Sequence, residues 1–138
     1  MALQQISVFL ENREGQLAEI TSVLAKNDID LKALHISETS DYGVLRLIAT
    51  NADNAVKILK DNSFLVSLTS VVCVAVDNKP GGLCKLLTLL SENKMDISYM
   101  YSVFGEENGT AKMVLKVRDT AALEKILADN GIAQADLT

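Results

Sequence analysis

Two short segments concentrate the residues able to handle a small polar ligand: Glu11-Asn12-Arg13-Glu14-Gly15-Gln16-Leu17 and Asp77-Asn78-Lys79-Pro80-Gly81-Gly82-Leu83. Each combines a carboxylate, an amide that both donates and accepts hydrogen bonds, a cation and a glycine. If each glycine opens a helix, the first-turn N–H groups and their partial positive charge suit a carboxylate, and the missing side chain lets a ligand approach the backbone. This is binding chemistry. Catalysis has less material: His35 is the only histidine, and no nucleophile or orienting carboxylate has a sequence-defined place beside it. Cys73 and Cys84 lie within apolar sequence rather than in a paired ligand motif, and read as reduced, buried fillers. The acidic residues are dispersed, which leaves little for a zinc site. No catalytic residue, metal ligand or cofactor is assigned.

The two segments are images of one another at an offset of 66 residues. The same offset carries Leu24 onto Leu90, Asn27 onto Asn93, Ile29 onto Met95, Asp30 onto Asp96, Leu31 onto Ile97 and Gly43 onto Gly109. One register held for so long marks a duplicated unit, and the boundary falls between residues 69 and 70.

Each copy must contain the elements that position its segment. Leu3 to Leu10 and Val71 to Val76 are short β-branched and apolar runs, and read as buried strands. Beyond the polar segments, Leu17, Ile20 and Leu24, then Leu83, Leu86, Leu87 and Leu90, recur every three or four residues and define the buried stripe of a helix. Asn27 and Asn93 are expected to end these helices, because Asn tolerates the left-handed conformation. Leu31 to Glu38 with Val44 to Thr50, and Ile97 to Phe104 with Ala111 to Val117, flank turn-rich stretches and predict hairpins. Second helices follow over about 52–60 and 120–128, with Asn51 and Asp119 as N-caps. Phe64 to Thr69 supplies a fourth strand; Ile132 to Leu137 does so more weakly.

The order βαββαβ, twice, predicts an α+β protein of two tandem ferredoxin-like sandwiches, each an antiparallel sheet with helices on one face and the other face open. A unit this small buries only about 60% of its unfolded surface. The copies, 1–69 and 70–138, are therefore expected to pack as a rigid pair, and a homodimer is expected. No linker separates them, so a shared continuous sheet is one possible join.

This plan serves metal carriers, RNA readers and regulatory modules alike, and the first strand-to-helix loop separates them. Metal carriers put two cysteines there; this chain does not. Tyr99 and Tyr101 weakly resemble the stacking pair of an RNA reader, but the net charge of −5 opposes nucleic-acid binding. Glu11 to Leu17 and Asp77 to Leu83, with Asn27-Asp28-Ile29-Asp30-Leu31 and Asn93-Lys94-Met95-Asp96-Ile97 downstream, resemble the signature of the ACT family of regulatory domains. The resemblance covers nearly the whole chain twice. It implies a non-catalytic sensor that holds an amino acid against this loop, between adjacent domains, and signals to a separate metabolic enzyme or regulator.

The site the resemblance implies is Asn12, Arg13, Glu14, Gly15, Gln16, Leu17 and Asp30 in the first copy, and Asn78, Lys79, Pro80, Gly81, Gly82, Leu83 and Asp96 in the second. Asn12 and Asn78 match the position that contacts the amino acid head group. Asp30 and Asp96 depart from related serine-binding modules, which carry Asn, and either pair with an α-ammonium or cap a turn. Structural roles stand beside each of these. The glycines suit a tight turn, the asparagines a cap, Arg13 and Lys79 a solvated loop, and Pro80 a first helical position.

Strand alternation adds a second reading. With Leu34, Ile36 and Met100 toward the helices, Ala33, His35, Tyr99 and Tyr101 fall on the open face, as a dimer interface or an aromatic pocket. A protein-interaction module that uses this face without ligand is the competing function. An apolar content of 49% indicates a packed protein, no run reaches a membrane span, and no signal-like N-terminus is present, so a soluble cytoplasmic protein is expected.

Overall fold

The computed structural model describes residues 2–11, 13–38 and 42–137. The chain forms two compact units, Gln4–Thr69 and Ser70–Leu137, the second also taking in residues 2–3. Strand β1 (Leu3–Glu11), helix α1 (Gln16–Lys26), strands β2 (Leu31–Glu38) and β3 (Tyr42–Ala49) and helix α2 (Ala52–Asp61) lead into β4 (Val66–Asp77). Helix α3 (Gly82–Glu92), strands β5 (Ile97–Ser102) and β6 (Thr110–Val117) and helix α4 (Thr120–Asp129) follow. The two strands expected around Phe64 to Val76 are a single strand, β4, because no glycine, proline or asparagine interrupts the run from Val66 to Asp77.

In the first unit the strand order is β2-β3-β1-β4 and in the second β4-β6-β5. The central pairs β1–β3 and β4–β6 are antiparallel, with Ile6 opposite Leu47 and Val8 opposite Leu45 in one unit, and Val72 opposite Leu115 and Val74 opposite Met113 in the other. The weakly predicted last strand forms no named strand among the described residues; Gln134 bridges Val74, and Ala135 N–H donates to Cys73 C=O (2.8 Å).

Each sheet buries one face against its helices. Ile6, Val8, Leu45 and Leu47 pack with Ile20, Leu24 and Leu59 in the first unit. Val72, Val74, Leu115 and Val117 pack with Leu86, Leu90, Leu123 and Leu127 in the second. Both second helices start as the sequence predicts. Asn51 Oδ1 accepts from Asn54 N–H (3.3 Å) and Asp119 Oδ1 from Ala122 N–H (3.0 Å).

All four described helices end in one device. Asn27, Asn62, Asn93 and Asn130 each donate Nδ2–H to the carbonyl four residues back, at 2.8 Å. The expected left-handed residue is not the asparagine but its successor: Asp28, Ser63, Lys94 and Gly131 have positive φ. The next residue then donates back into the last turn, Ile29 to Leu24, Phe64 to Leu59, Met95 to Leu90 and Ile132 to Leu127. This is the Schellman closure, with its hydrophobic pair. Its sequence signature, Leu-x-x-Asn-x followed by an apolar residue, stands four times in the chain.

The face opposite the helices differs from expectation. Ala33, Ile48, Cys73 and Val114 are fully buried there, and Tyr101 keeps 6% of its exposure. That face carries apolar side chains of its own, and they withdraw from water. Ile36, expected inward, is 42% exposed at the end of the edge strand β2, whereas Leu34 and Met100 do pack on the cores.

Candidate functional site

The strand-to-helix loops carry the candidate residues. Gly15 heads α1 with φ 77° and Gly81 heads α3 with φ 91°, and neither helix has a side-chain cap. A Cβ at either glycine would meet nothing within 4 Å. Conformation, not crowding, therefore requires glycine, since an L side chain pays about 1–2 kcal/mol in the left-handed region. Neither glycine supplies a side-chain cap, and in α3 the first N–H, that of Gly82, donates to Lys79 C=O (3.0 Å).

Around Gly15, Arg13 and Glu14 are exposed. Arg13 forms ion pairs with Glu19 (3.3 Å) and Glu11 (3.7 Å). Asn12 lies outside the described residues. Leu17 packs partly buried on the first core. Gln16 turns inward: it is buried, and its Oε1 accepts a hydrogen bond from Glu11 N–H at 2.7 Å.

Around Gly81, Lys79 and Pro80 are exposed and Leu83 is half-buried. Asn78 donates its side-chain N–H to the Glu106 carboxylate and its backbone N–H to Gly109 C=O (2.9 Å). The amide is thereby oriented by the β5–β6 connection, a contact the sequence did not announce. Gly82 lies so close to the strand end that a Cβ would stand 1.9 Å from Asp77 C=O.

The strand-entry aspartates are both exposed. Asp30 pairs with Lys32 (2.9 Å), whose hydrogen bond and charge hold the Asp30 carboxyl below its ordinary value. The role of ammonium partner that the resemblance offers a ligand is thus met by Lys32 in the first unit. The second unit has Ser98 where the first has Lys32, so Asp96 lacks that neighbour. Among the described residues, no three histidine, cysteine or acidic side chains group to hold a metal ion.

A family model for the ACT domain pair matches residues 1–135. The chain belongs to the ACT domain pair family. Protein BT0572 from Bacteroides thetaiotaomicron is 41% identical, over 98% of this chain and 92% of that one, with a TM-score of 0.91. At the level of fold, this ACT domain pair is similar to the ligand-free regulatory subunit of aspartate kinase from Thermus thermophilus. That structure is 13% identical over 91% of each chain, with a TM-score of 0.65. The regulatory subunit of aspartate kinase from Thermus flavus is 12% identical over 91% of this chain and 90% of that one, with a TM-score of 0.60. No curated protein matches this ACT domain pair. None of its described helices is long and apolar enough to cross a membrane.

Proposed function

We propose that this ACT domain pair is a non-catalytic sensor that binds an amino acid at its strand-to-helix loops and acts on a separate metabolic enzyme or regulator in the cytoplasm. Residues 1–69 and 70–138 serve as its two regulatory domains. The observation that carries the reading is the duplicated helix start, with left-handed Gly15 and Gly81, no side-chain cap and no atom within 4 Å of where a Cβ would stand on either glycine. Such a start accepts a carboxylate. Membership of a family of regulatory, ligand-binding domains supports the same reading. A zwitterion makes only a few charge-assisted hydrogen bonds, at about 1.5–3 kcal/mol each, which corresponds to micromolar to millimolar dissociation constants.

Titration of amino acids into the full chain and its loop variants tests this. Asn78→Ala and Gly81→Val are expected to weaken binding if the second unit holds the ligand, and Asn12→Ala and Gly15→Val if the first does. Unchanged affinity in all four folded variants would remove the loops as the site.

A second reading rests on Phe9, Tyr42 and Leu65, which are 43%, 42% and 73% exposed. Phe9 and Tyr42 stack with centroids 4.7 Å apart, and Phe9 and Leu65 line a groove of about 280 Å³. This surface is the interface of a homodimer. Sedimentation of Phe9→Ser against the parent chain checks it, and an unchanged dimer would rule this surface out.

A further inference from the structure

The two copies differ at the outer edge of the strand that precedes each loop. In the first unit that edge is closed twice: Phe9 N–H donates to Leu65 C=O (2.9 Å), and Glu11 N–H to Gln16 Oε1 (2.7 Å). At the offset of 66, Phe9 becomes Ala75, Leu65 becomes Gly131, Glu11 becomes Asp77 and Gln16 becomes Gly82. Val74 and Val76 sit opposite Met113 and Ala111 of β6, and Asn78 N–H continues that ladder to Gly109 C=O. Alternation therefore turns the backbone groups of Cys73, Ala75 and Asp77 to the other edge. There the C-terminal segment meets Cys73 through Ala135 N–H. Gly82 has no side chain to reach back as Gln16 does.

What opens there is a cleft of about 450 Å³, lined by Ala75, Asp77, Gly82, Lys85, Leu89 and Ile132 among others. The volume lies within the roughly 300–1,000 Å³ of small-molecule sites. Its chemistry is divided. The Asp77 N–H and the Lys85 ammonium suit a carboxylate, while Ala75 N–H is turned to Ala133 by the bridge of Val74 with Gln134. The Ala75 carbonyl and the Asp77 carboxylate suit an ammonium group. Val76, Leu86, Leu89 and Ile132 add an apolar wall.

We propose that the second unit, not the first, holds the effector, and that the effector is an amino acid with an aliphatic side chain lying against the outer edge of β4 and the first turns of α3. This rests on the amino-acid reading above and narrows it to one copy and one class of side chain. Gln16 occupies the corresponding edge position in the first unit.

Calorimetric titration of the full chain with leucine, valine, serine and aspartate tests the proposal, repeated with Lys85→Met and with Glu19→Gln, the equivalent position of the first copy. Both side chains are exposed, so the fold is kept; Leu89→Asp, checked by circular dichroism, places a carboxylate on the apolar wall. The expected result is preference for leucine or valine, at least tenfold weaker binding in Lys85→Met and Leu89→Asp, and no change in Glu19→Gln. Leucine binding that Lys85→Met and Leu89→Asp leave intact, or a preference for serine or aspartate, would overturn the cleft while leaving an amino-acid sensor standing. Absence of binding by every amino acid would remove both.

Discussion

Gln16 and Gly82 hold the same position in the two copies and do opposite things: Gln16 folds back to satisfy Glu11 N–H at 2.7 Å, while Gly82 leaves the matching strand edge open. The first of these is a stability device. Gln16→Ala removes the acceptor from a buried position and is expected to destabilise the chain by about 1 kcal/mol, the net worth of one such bond. Gln16→Glu, which keeps an oxygen in place, should lose less. Urea denaturation of the three proteins compares them.

Gly81 and Gly82 should respond differently to alanine. At Gly81 only the left-handed backbone is penalised, by about 1–2 kcal/mol. At Gly82 the new Cβ meets the Asp77 carbonyl at 1.9 Å, and a backbone atom must move. Overpacking of this kind costs about 1–3 kcal/mol or more. Gly82→Ala is therefore expected to shift the loop as well as the denaturation midpoint, which amide chemical shifts of Asp77 to Lys85 would record.

The helix ends give a prediction of opposite sign. Lys94 holds a left-handed conformation that glycine adopts without penalty, as Gly131 does at the end of α4. Lys94→Gly should raise stability by up to about 1 kcal/mol and Gly131→Ala should lower it by about the same. Equal denaturation midpoints for both variants and the parent would contradict the closure described for these ends.

The cysteines should differ in accessibility to reagents. Burial pushes the Cys73 thiol up to about 11, with Lys112 drawing it slightly the other way, whereas Cys84 is exposed. A thiol reagent at pH 8 should modify one cysteine in the native chain and two in denaturant. Because the folded state keeps a proton that the unfolded chain releases, the contribution of Cys73 is present below about pH 9 and is lost as pH rises through about 11. Cys73→Ala should lose less stability than the parent between these values.

Much of this architecture is legible in the residues. The register of Asn27 with Asn93 and Gly15 with Gly81 exposes the duplication, and Asn51 and Asp119 mark helix starts through local chemistry that needs no tertiary context. What escapes is set by tertiary contacts. Alternation places Ala33 and Tyr101 on the face opposite the helices, yet their burial depends on what packs there. Asn27 is a poor guide to the left-handed residue because its side chain is engaged with Val23 C=O, which leaves the reversal to Asp28. The Gln16 and Gly82 mismatch is visible as a break in an otherwise faithful alignment, but its meaning needs the distance from Gln16 to Glu11. Likewise, Asn78 reads as a ligand residue in sequence, and only the fold brings Glu106 to it.

The central claim, that this ACT domain pair senses an amino acid, is tested most directly by a thermal-melt screen of the full chain against the twenty amino acids and a set of nucleotides. Ligand at about a hundred times its dissociation constant stabilises by about 2.7 kcal/mol, so tens of millimolar reveals even weak binding. The account predicts a selective rise in Tm with one amino acid or a few of one class and none with nucleotides. A flat response to all twenty at those concentrations would contradict it.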